Sequence, residues 1–495
     1  MRKLLLPALP TLRRVILLLL LLLPLQLLHA QLPFTEKQYA WRVETDLEYG
    51  TAVNYAGLTE TLTLDLYKPV GDDNIARPLL VLVHGGAWLT GCKTDMAGLA
   101  IEMAQRGYAV ASVNYRKGWH KSGGSVNPGV FLPDLNCLYP ADSLEIYRAI
   151  YRGMQDVKGA IRWLKARTVL DSTCNQSVLV GGASAGAFLA LATGFLDRSI
   201  EKPAACGALP DAPAPASNMV NCYDHECIRQ TIALQPGALQ RPDLGPVEGT
   251  MNNNGYSADV IGVLSEFGGM PYDALTKNWL EGPSQPAVYL YHQTCDGVVP
   301  FVQGQPFFVI SNYCNLGATP WHPKLPIVFG NGALAAYFGA IPNPPVFTTE
   351  FDNCDPFNPA ISGFECVRYS QNGSYHFVAN SVLHAQKVAD FFSPVVSASL
   401  GSAACLVGTS TPLNSLGIRI APNPFSGFPK FSCTQPPTGE MRLTLRDLSG
   451  KTLWRQTRIL SVGINELPVN LPTGIYFLEV SGAEGTGVWK IVCKG

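Results

Sequence analysis

Gly182-Ala183-Ser184-Ala185-Gly186 sets one serine between two glycines, with only alanines beside it. The run before it, Ser177-Val178-Leu179-Val180, is apolar and β-branched, as a strand buried on both faces should be. From Ala185 onward small residues recur (Gly186, Ala187, Ala190, Ala192), so a helix can leave that strand steeply and pack close. Strand, G-x-S-x-G and helix, in that order, would expose Ser184 Oγ at the top of a sheet as a nucleophile. The bland reading is a glycine-rich turn that joins a strand to a helix.

Three other stretches carry matching chemistry. The apolar run Pro78 to Val83 leads straight into His84-Gly85-Gly86-Ala87-Trp88, where paired glycines let backbone N–H groups turn toward a developing negative charge. A tight turn with a core histidine is the alternative. Asp296 follows the buried strand Ala287 to Tyr291, at the carboxyl edge where α/β sheets place their chemistry; it could instead be an ordinary turn aspartate before Gly297. His376 sits in the loop Gly373-Ser374-Tyr375-His376 and is the candidate base. His384 falls inside the next helix as a packing or surface residue, and His292, within a strand, should satisfy a core hydrogen bond.

Alternating strands and helices must hold these groups. Glu60 to Val70 alternates like a half-exposed, antiparallel edge strand; Met96 to Arg106 reads as helix, Tyr108 to Asn114 as strand, and Asn127 to Tyr139 as loop. Met154, Val157, Ile161 and Leu164 recur at helical spacing on a segment rich in Lys and Arg. Val260 to Leu264 and Cys366 to Tyr369 read as further strands, the second as the last of the sheet, and Val382 to Phe392 as the closing helix. The fold class is therefore α/β, a mostly parallel sheet with helices on both faces. Two irregular, proline-rich stretches, 203–254 and 304–359, read as insertions, the first expected over the site.

Composition is that of a folded, exported chain. Hydrophobic residues make up 47% and charged residues 15%, and 36 Lys plus Arg nearly balance 37 Asp plus Glu, which implies no nucleic-acid surface. Residues 1–30, with Arg2, Lys3, Arg13 and Arg14 ahead of a leucine run, read as a secretory signal peptide; a retained anchor is the alternative. Its removal takes the net charge from −1 to −5 and leaves no stable membrane span. The thirteen cysteines all follow it, as disulfides in an exported protein would. Cys222 and Cys227 could close a small loop, or with His225 hold a metal. The catalytic unit is read as 31–395, 396–416 as a linker, and 417–495, with its short alternating runs, as a small all-β sandwich.

On these residues the chain from about Thr45 to Ser393 resembles α/β-hydrolase carboxylesterases and lipases with an HGGxW segment. The resemblance implies Ser184 as nucleophile, Asp296 as acid, His376 as base, and the N–H groups of Gly86, Ala87 and Ala185 as the oxyanion hole. No cofactor or metal is implied. Ala421-Pro422-Asn423-Pro424-Phe425, Asp447-Leu448-Ser449-Gly450-Lys451, Gly474-Ile475-Tyr476-Phe477 and Lys490-Ile491-Val492 resemble the sorting domain of type IX secretion. That likeness implies the secretion machinery as a partner and a secreted or cell-surface location; a carbohydrate-binding module is the rival. Expected is a secreted serine ester hydrolase acting on a small or polymeric ester, with a peptidase of the same fold or a non-catalytic adhesion module as alternatives.

Overall fold

The computed structural model describes residues 33–72, 74, 76–120, 143–212, 221–232, 239–271, 278–282, 285–314, 325–400, 419–420, 426–434, 439–447, 452–482 and 485–493. The leader, the loop Asn127 to Tyr139, the stretch Ala421 to Phe425 and most of the linker lie outside the described residues.

One eight-stranded sheet organises residues 40–352. Its strands are β1 (Ala40–Val53), β2 (Thr59–Val70), β3 (Arg77–Val83), β4 (Ala109–Val113), β5 (Thr173–Ala183), β6 (Gly262–Glu266), β7 (Ala287–Gln293) and β8 (Phe347–Asp352), in the order β1-β2-β4-β3-β5-β6-β7-β8. From β4 to β8 all pairs are parallel, while β1 and β2 run antiparallel. The order reverses beside β3: the chain steps outward to β4, then crosses back to β5. A crevice therefore opens between the carboxyl ends of β3 and β5, where His84 and Ser184 leave the sheet.

Period-two burial divides the central strands between two cores. Leu79, Val81, Val83, Val178, Val180, Val263, Val288 and Leu290 face helices α2 (Ser143–Lys165) and α3 (Ala185–Phe195), and meet Met154, Val157, Ile161 and Leu164. Leu80, Leu82, Val110, Leu179, Leu264, Tyr289 and Tyr291 face the other way, onto α1 (Ala97–Ala104) and α6 (Ser381–Leu400). Helices thus cover both faces, as the alternation of elements implied.

Four expectations change. β2 is interior rather than an edge strand, because β1 lies outside it and buries Leu62 to Pro69. Cys366 to Tyr369 belongs to helix α5 (Ser362–Gln371), where Tyr369 turns inward and Phe364 and Val367 outward. The last strand is β8, inside the stretch read as irregular; that stretch also holds helix α4 (Asn331–Ala340). Helix α6 continues to Leu400, into the segment read as a linker.

A further difference concerns the insertion 203–254. Its described backbone runs mainly along the polar face of α2, not over the site. Arg148 donates to the carbonyls of Ala205, Gly207 and Pro242, Gln155 to Leu244 and Pro246, and Arg162 to Met251. An irregular segment buried against a helix must find donors for its carbonyls, and the basic residues of α2 supply them. Among the described residues of the insertion, the hairpin Asn221–His225 with Ile228–Ile232 reaches the carboxyl edge, where Glu226 accepts from Thr63 and Asn114.

The C-terminal unit is a sandwich of a three-stranded sheet (Arg419–Ile420, Lys430–Cys433, Gly463–Glu466) and a four-stranded one (Met441–Arg446, Thr452–Arg458, Gly474–Gly482, Gly485–Cys493). Phe431, Leu443, Leu445, Leu467, Leu478, Val480 and Ile491 fill it. Among the described residues no helix is long and apolar enough to cross a membrane.

Arg148→Ala should leave the carbonyls of Ala205, Gly207 and Pro242 without this donor, costing about 2 kcal/mol and loosening the insertion. Denaturant unfolding and limited proteolysis within 203–254, compared with wild type, would measure both effects.

Candidate active site

The turn at Ser184 has no room for larger neighbours. A Cβ on Gly186 would lie 2.0 Å from the Val83 carbonyl oxygen, and one on Gly182 would lie 2.4 Å from Gly186 backbone atoms. Helix α3 thus starts flush against the end of β3. To make that turn Ser184 adopts φ 53°, ψ −122°, a strained conformation for a residue with a Cβ. Its N–H donates to Glu266 O at 2.9 Å, tying the turn to β6. The side chain is only half-buried.

Three consecutive residues after β3 have positive φ: Gly86 at 104°, Ala87 at 51° and Trp88 at 58°. Gly86 cannot carry a side chain, since its Cβ would meet Thr90 O at 2.1 Å. The N–H groups of Gly86, Ala87 and Ala185 donate to no acceptor among the described residues. His84 is a brace for this loop, not a base. It is fully buried, stacks on Tyr115 at 4.6 Å and donates from Nδ1 to Gly85 O at 2.7 Å. Burial, with Lys117 nearby, holds its pKa well below the usual histidine value, so the ring stays neutral.

Asp296 and His376, 80 positions apart, are in direct contact: Nδ1 donates to Oδ2 at 2.7 Å. The other carboxylate oxygen accepts from the N–H groups of Val298 (2.7 Å) and Val299 (3.0 Å). His292 adds a second imidazole, with Nε2 3.1 Å from Oδ2 and 3.1 Å from Val299 O, so its core hydrogen bond is in place and reaches the site as well. Burial alone would raise the Asp296 pKa; the two imidazoles outweigh it and hold the carboxyl below its usual value. Asp296 is thus an anion at neutral pH.

His376 has its other nitrogen uncommitted. Nε2 is buried and has no hydrogen-bond partner, Ser184 included. Such an imidazole, with Nδ1–H fixed by a carboxylate, keeps a basic lone pair on Nε2. Neighbouring groups fix the loop around it: Gly297 N donates to Ser374 O at 2.9 Å, and Gln293, with its amide nitrogen facing the loop, donates to Tyr375 O (2.8 Å) and Phe377 O (3.2 Å).

His384 is neither surface nor plain packing. It is buried, with Nδ1 2.6 Å from Glu350 Oε2 and Nε2 2.9 Å from Glu266 Oε1. Burial opposes its charge, yet the two carboxylates raise its pKa to about 9, and the same contact helps lower Glu350 to about 2. The resulting imidazolium joins α6 to β6 and β8. No spacing in the sequence signals this, because its partners lie 118 and 34 residues away.

Disulfides also cross-link segments around the site. Cys92–Cys227 joins the segment after Trp88 to the hairpin, Cys295–Cys354 joins the residue before Asp296 to the end of β8, and Cys314–Cys366 joins the second insertion to α5. Cys227 therefore pairs with Cys92, not Cys222, and its sulfur is unavailable to a metal. Among the described residues no three His, Cys, Asp or Glu side chains gather as a metal site.

Residues 64–122, which include His84 to Trp88, match the protein-family model BD-FAE. A 53-residue stretch is 42% identical to the isoprenylcysteine alpha-carbonyl methylesterase of Arabidopsis thaliana, covering 11% of this chain and 12% of that protein. Among solved structures, a truncated carbohydrate esterase from gut microbiota is 16% identical with a TM-score of 0.36, over 73% of this chain and 98% of that one. Esterase B from Lactobacillus rhamnosis is 16% identical with a TM-score of 0.38, over 74% and 90%.

Gly186→Ala should prevent the close approach of α3 to β3, costing more than about 3 kcal/mol, read as a fall in the urea midpoint. His384 gives a pH signature. Its folded pKa, about 9, exceeds the unfolded value near 6.5, so its stabilisation is complete below pH ~6.5 and is lost as pH rises through about 9. Stability should therefore fall by about 3 kcal/mol across that window, and His384→Gln should flatten the profile in urea titrations.

Proposed function

We propose that the chain is an exported serine hydrolase of carboxylic esters that works through an acyl-enzyme. The observation that carries this reading is the Asp296–His376 contact, with an unpartnered Nε2, beside a strained serine turn and three unpaired amides. His376 Nε2 takes the Ser184 proton as Oγ attacks the ester carbonyl carbon, and the buried Asp296 carboxylate stabilises the imidazolium that forms. Negative charge on the carbonyl oxygen is received by the N–H groups of Gly86, Ala87 and Ala185, each worth about 3 kcal/mol of barrier in comparable sites. The imidazolium then protonates the departing alcohol. Water, activated by the same nitrogen, releases the acid.

An apo histidine need not touch its serine, since such contacts tighten only with substrate in place. The local matches to BD-FAE and to a plant methylesterase support ester chemistry, and the first, over residues 64–122, includes His84 to Trp88. Polysaccharide acyl or feruloyl esters fit an exported scavenging enzyme. Export itself rests on residues 1–30 and on the C-terminal sandwich, read as a type IX sorting domain, and the disulfides among the described residues suit an oxidising compartment.

Mature protein and Ser184→Ala, offered aryl acetates, feruloylated sugars and triglycerides, test the reading. Wild type should hydrolyse at least one class, and the variant should lose about 10³-fold or more in kcat at unchanged Tm. Equal rates in the two proteins would refute the mechanism; no turnover and no fluorophosphonate adduct in wild type would favour a binding module.

A further inference from the structure

Phe267 stands where the nucleophile, the base and the acid strand meet. It follows β6 directly and has φ 40°, an outlier for a bulky residue. Packing on both sides forces the bend. Upstream, Glu266 O accepts the Ser184 N–H; Phe267 N–H itself donates to Tyr291 O at 2.7 Å, on the strand that leads to Asp296. Downstream, the chain passes so close to α3 that a Cβ on Gly268 would lie 2.3 Å from Ala187 Cβ. Backbone strain of this kind persists only where surroundings enforce it, and it gathers at working sites.

The bend aims the ring. Phe267 is nearly buried, with its centroid 4.4 Å from that of the His376 imidazole at a tilt of 56°, and 6.2 Å from Tyr291. The Tyr291 hydroxyl in turn donates to Asp352 Oδ2 at 2.7 Å and lies 3.2 Å from the carbonyl oxygen of Phe377, the residue after His376. Asp296 fixes one edge of the imidazole through Nδ1. A single hydrogen bond leaves a ring free to pivot about it; a wall against the ring face removes that freedom. Without the wall, His376, whose side chain is 13% exposed, could swing Nε2 away from Ser184.

We infer that Phe267 is a positioning residue that holds the His376 imidazole with Nε2 toward Ser184, an assignment that rests on the esterase reading above. Its ring carries no group that could exchange a proton. Its contribution lies in keeping the base where proton transfer can occur, for which a displacement of about 1 Å can cost a hundredfold in rate.

The test uses the full-length protein as wild type, Phe267→Ala and Phe267→Tyr, with reactive sites counted by a fluorophosphonate probe carried to completion. Phe267→Ala should lower kcat per reactive site by about tenfold to a hundredfold with KM within about twofold of wild type, and Phe267→Tyr, which keeps the ring, should restore turnover. In proton NMR the downfield signal of the Asp296-bound Nδ1 proton should broaden or vanish in Phe267→Ala and persist in Phe267→Tyr. Unchanged kcat per site in Phe267→Ala, a change confined to KM, or a sharp Nδ1 signal in that variant would overturn the assignment. Failure of wild type to turn over any ester would count against the esterase reading; the NMR comparison, which needs no substrate, would still decide whether Phe267 holds the imidazole.

Discussion

Steric exclusion between the ends of β3 and β5 governs the whole site. The Val83 carbonyl sits where a Cβ on Gly186 would have to go, so α3 can begin there only because residue 186 has no side chain. That close approach forces Ser184 to a positive φ and lifts its hydroxyl clear of the sheet. It also brings the loop after His84 alongside, since the Cβ of Ser184 would lie only 3.1 Å from one placed on Gly85. The Ser184 hydroxyl and the amides are thus set by one packing contact between the start of α3 and the end of β3.

The His376 imidazole arrives by a different route. Asp296 gathers four donors around one buried carboxylate: two amides of its own loop and two imidazoles. Burying a charge is tolerable only when it is so satisfied. The loop that carries it is fastened to β8 by Cys295–Cys354 and to the histidine loop by Gly297. Chain segments remote in sequence therefore reach the crevice already ordered, which lowers the entropic cost of assembling them around a substrate.

What the sequence made legible was local. G-x-S-x-G and His84-Gly85-Gly86 announce themselves because their glycines answer contacts within a few residues of a recognisable strand. Asp296 followed from its place after β7, and His376 from lying in the loop before the last helix. β8 escaped notice because prolines precede it, although Phe347, Thr349 and Phe351 alternate with polar residues as a strand should. Cys366 to Tyr369 misled for the opposite reason: β-prone residues on a helix whose Glu365–Arg368 pair and buried Tyr369 follow a helical period. The pairing of Cys92 with Cys227, 135 residues away, and the clamp of His384 between Glu266 and Glu350 depend on tertiary neighbours alone. Phe267 gave no signal either, being one aromatic among many.

A crystal structure of the protein inactivated by an alkyl phosphonate would probe the assembled site most directly. The account predicts phosphorus bonded to Ser184 Oγ, its oxygen within about 3 Å of the N–H groups of Gly86, Ala87 and Ala185, and His376 Nε2 turned toward the adduct with Nδ1 still on Asp296. Phosphorus on another residue, or a phosphonyl oxygen pointing away from those amides, would contradict it.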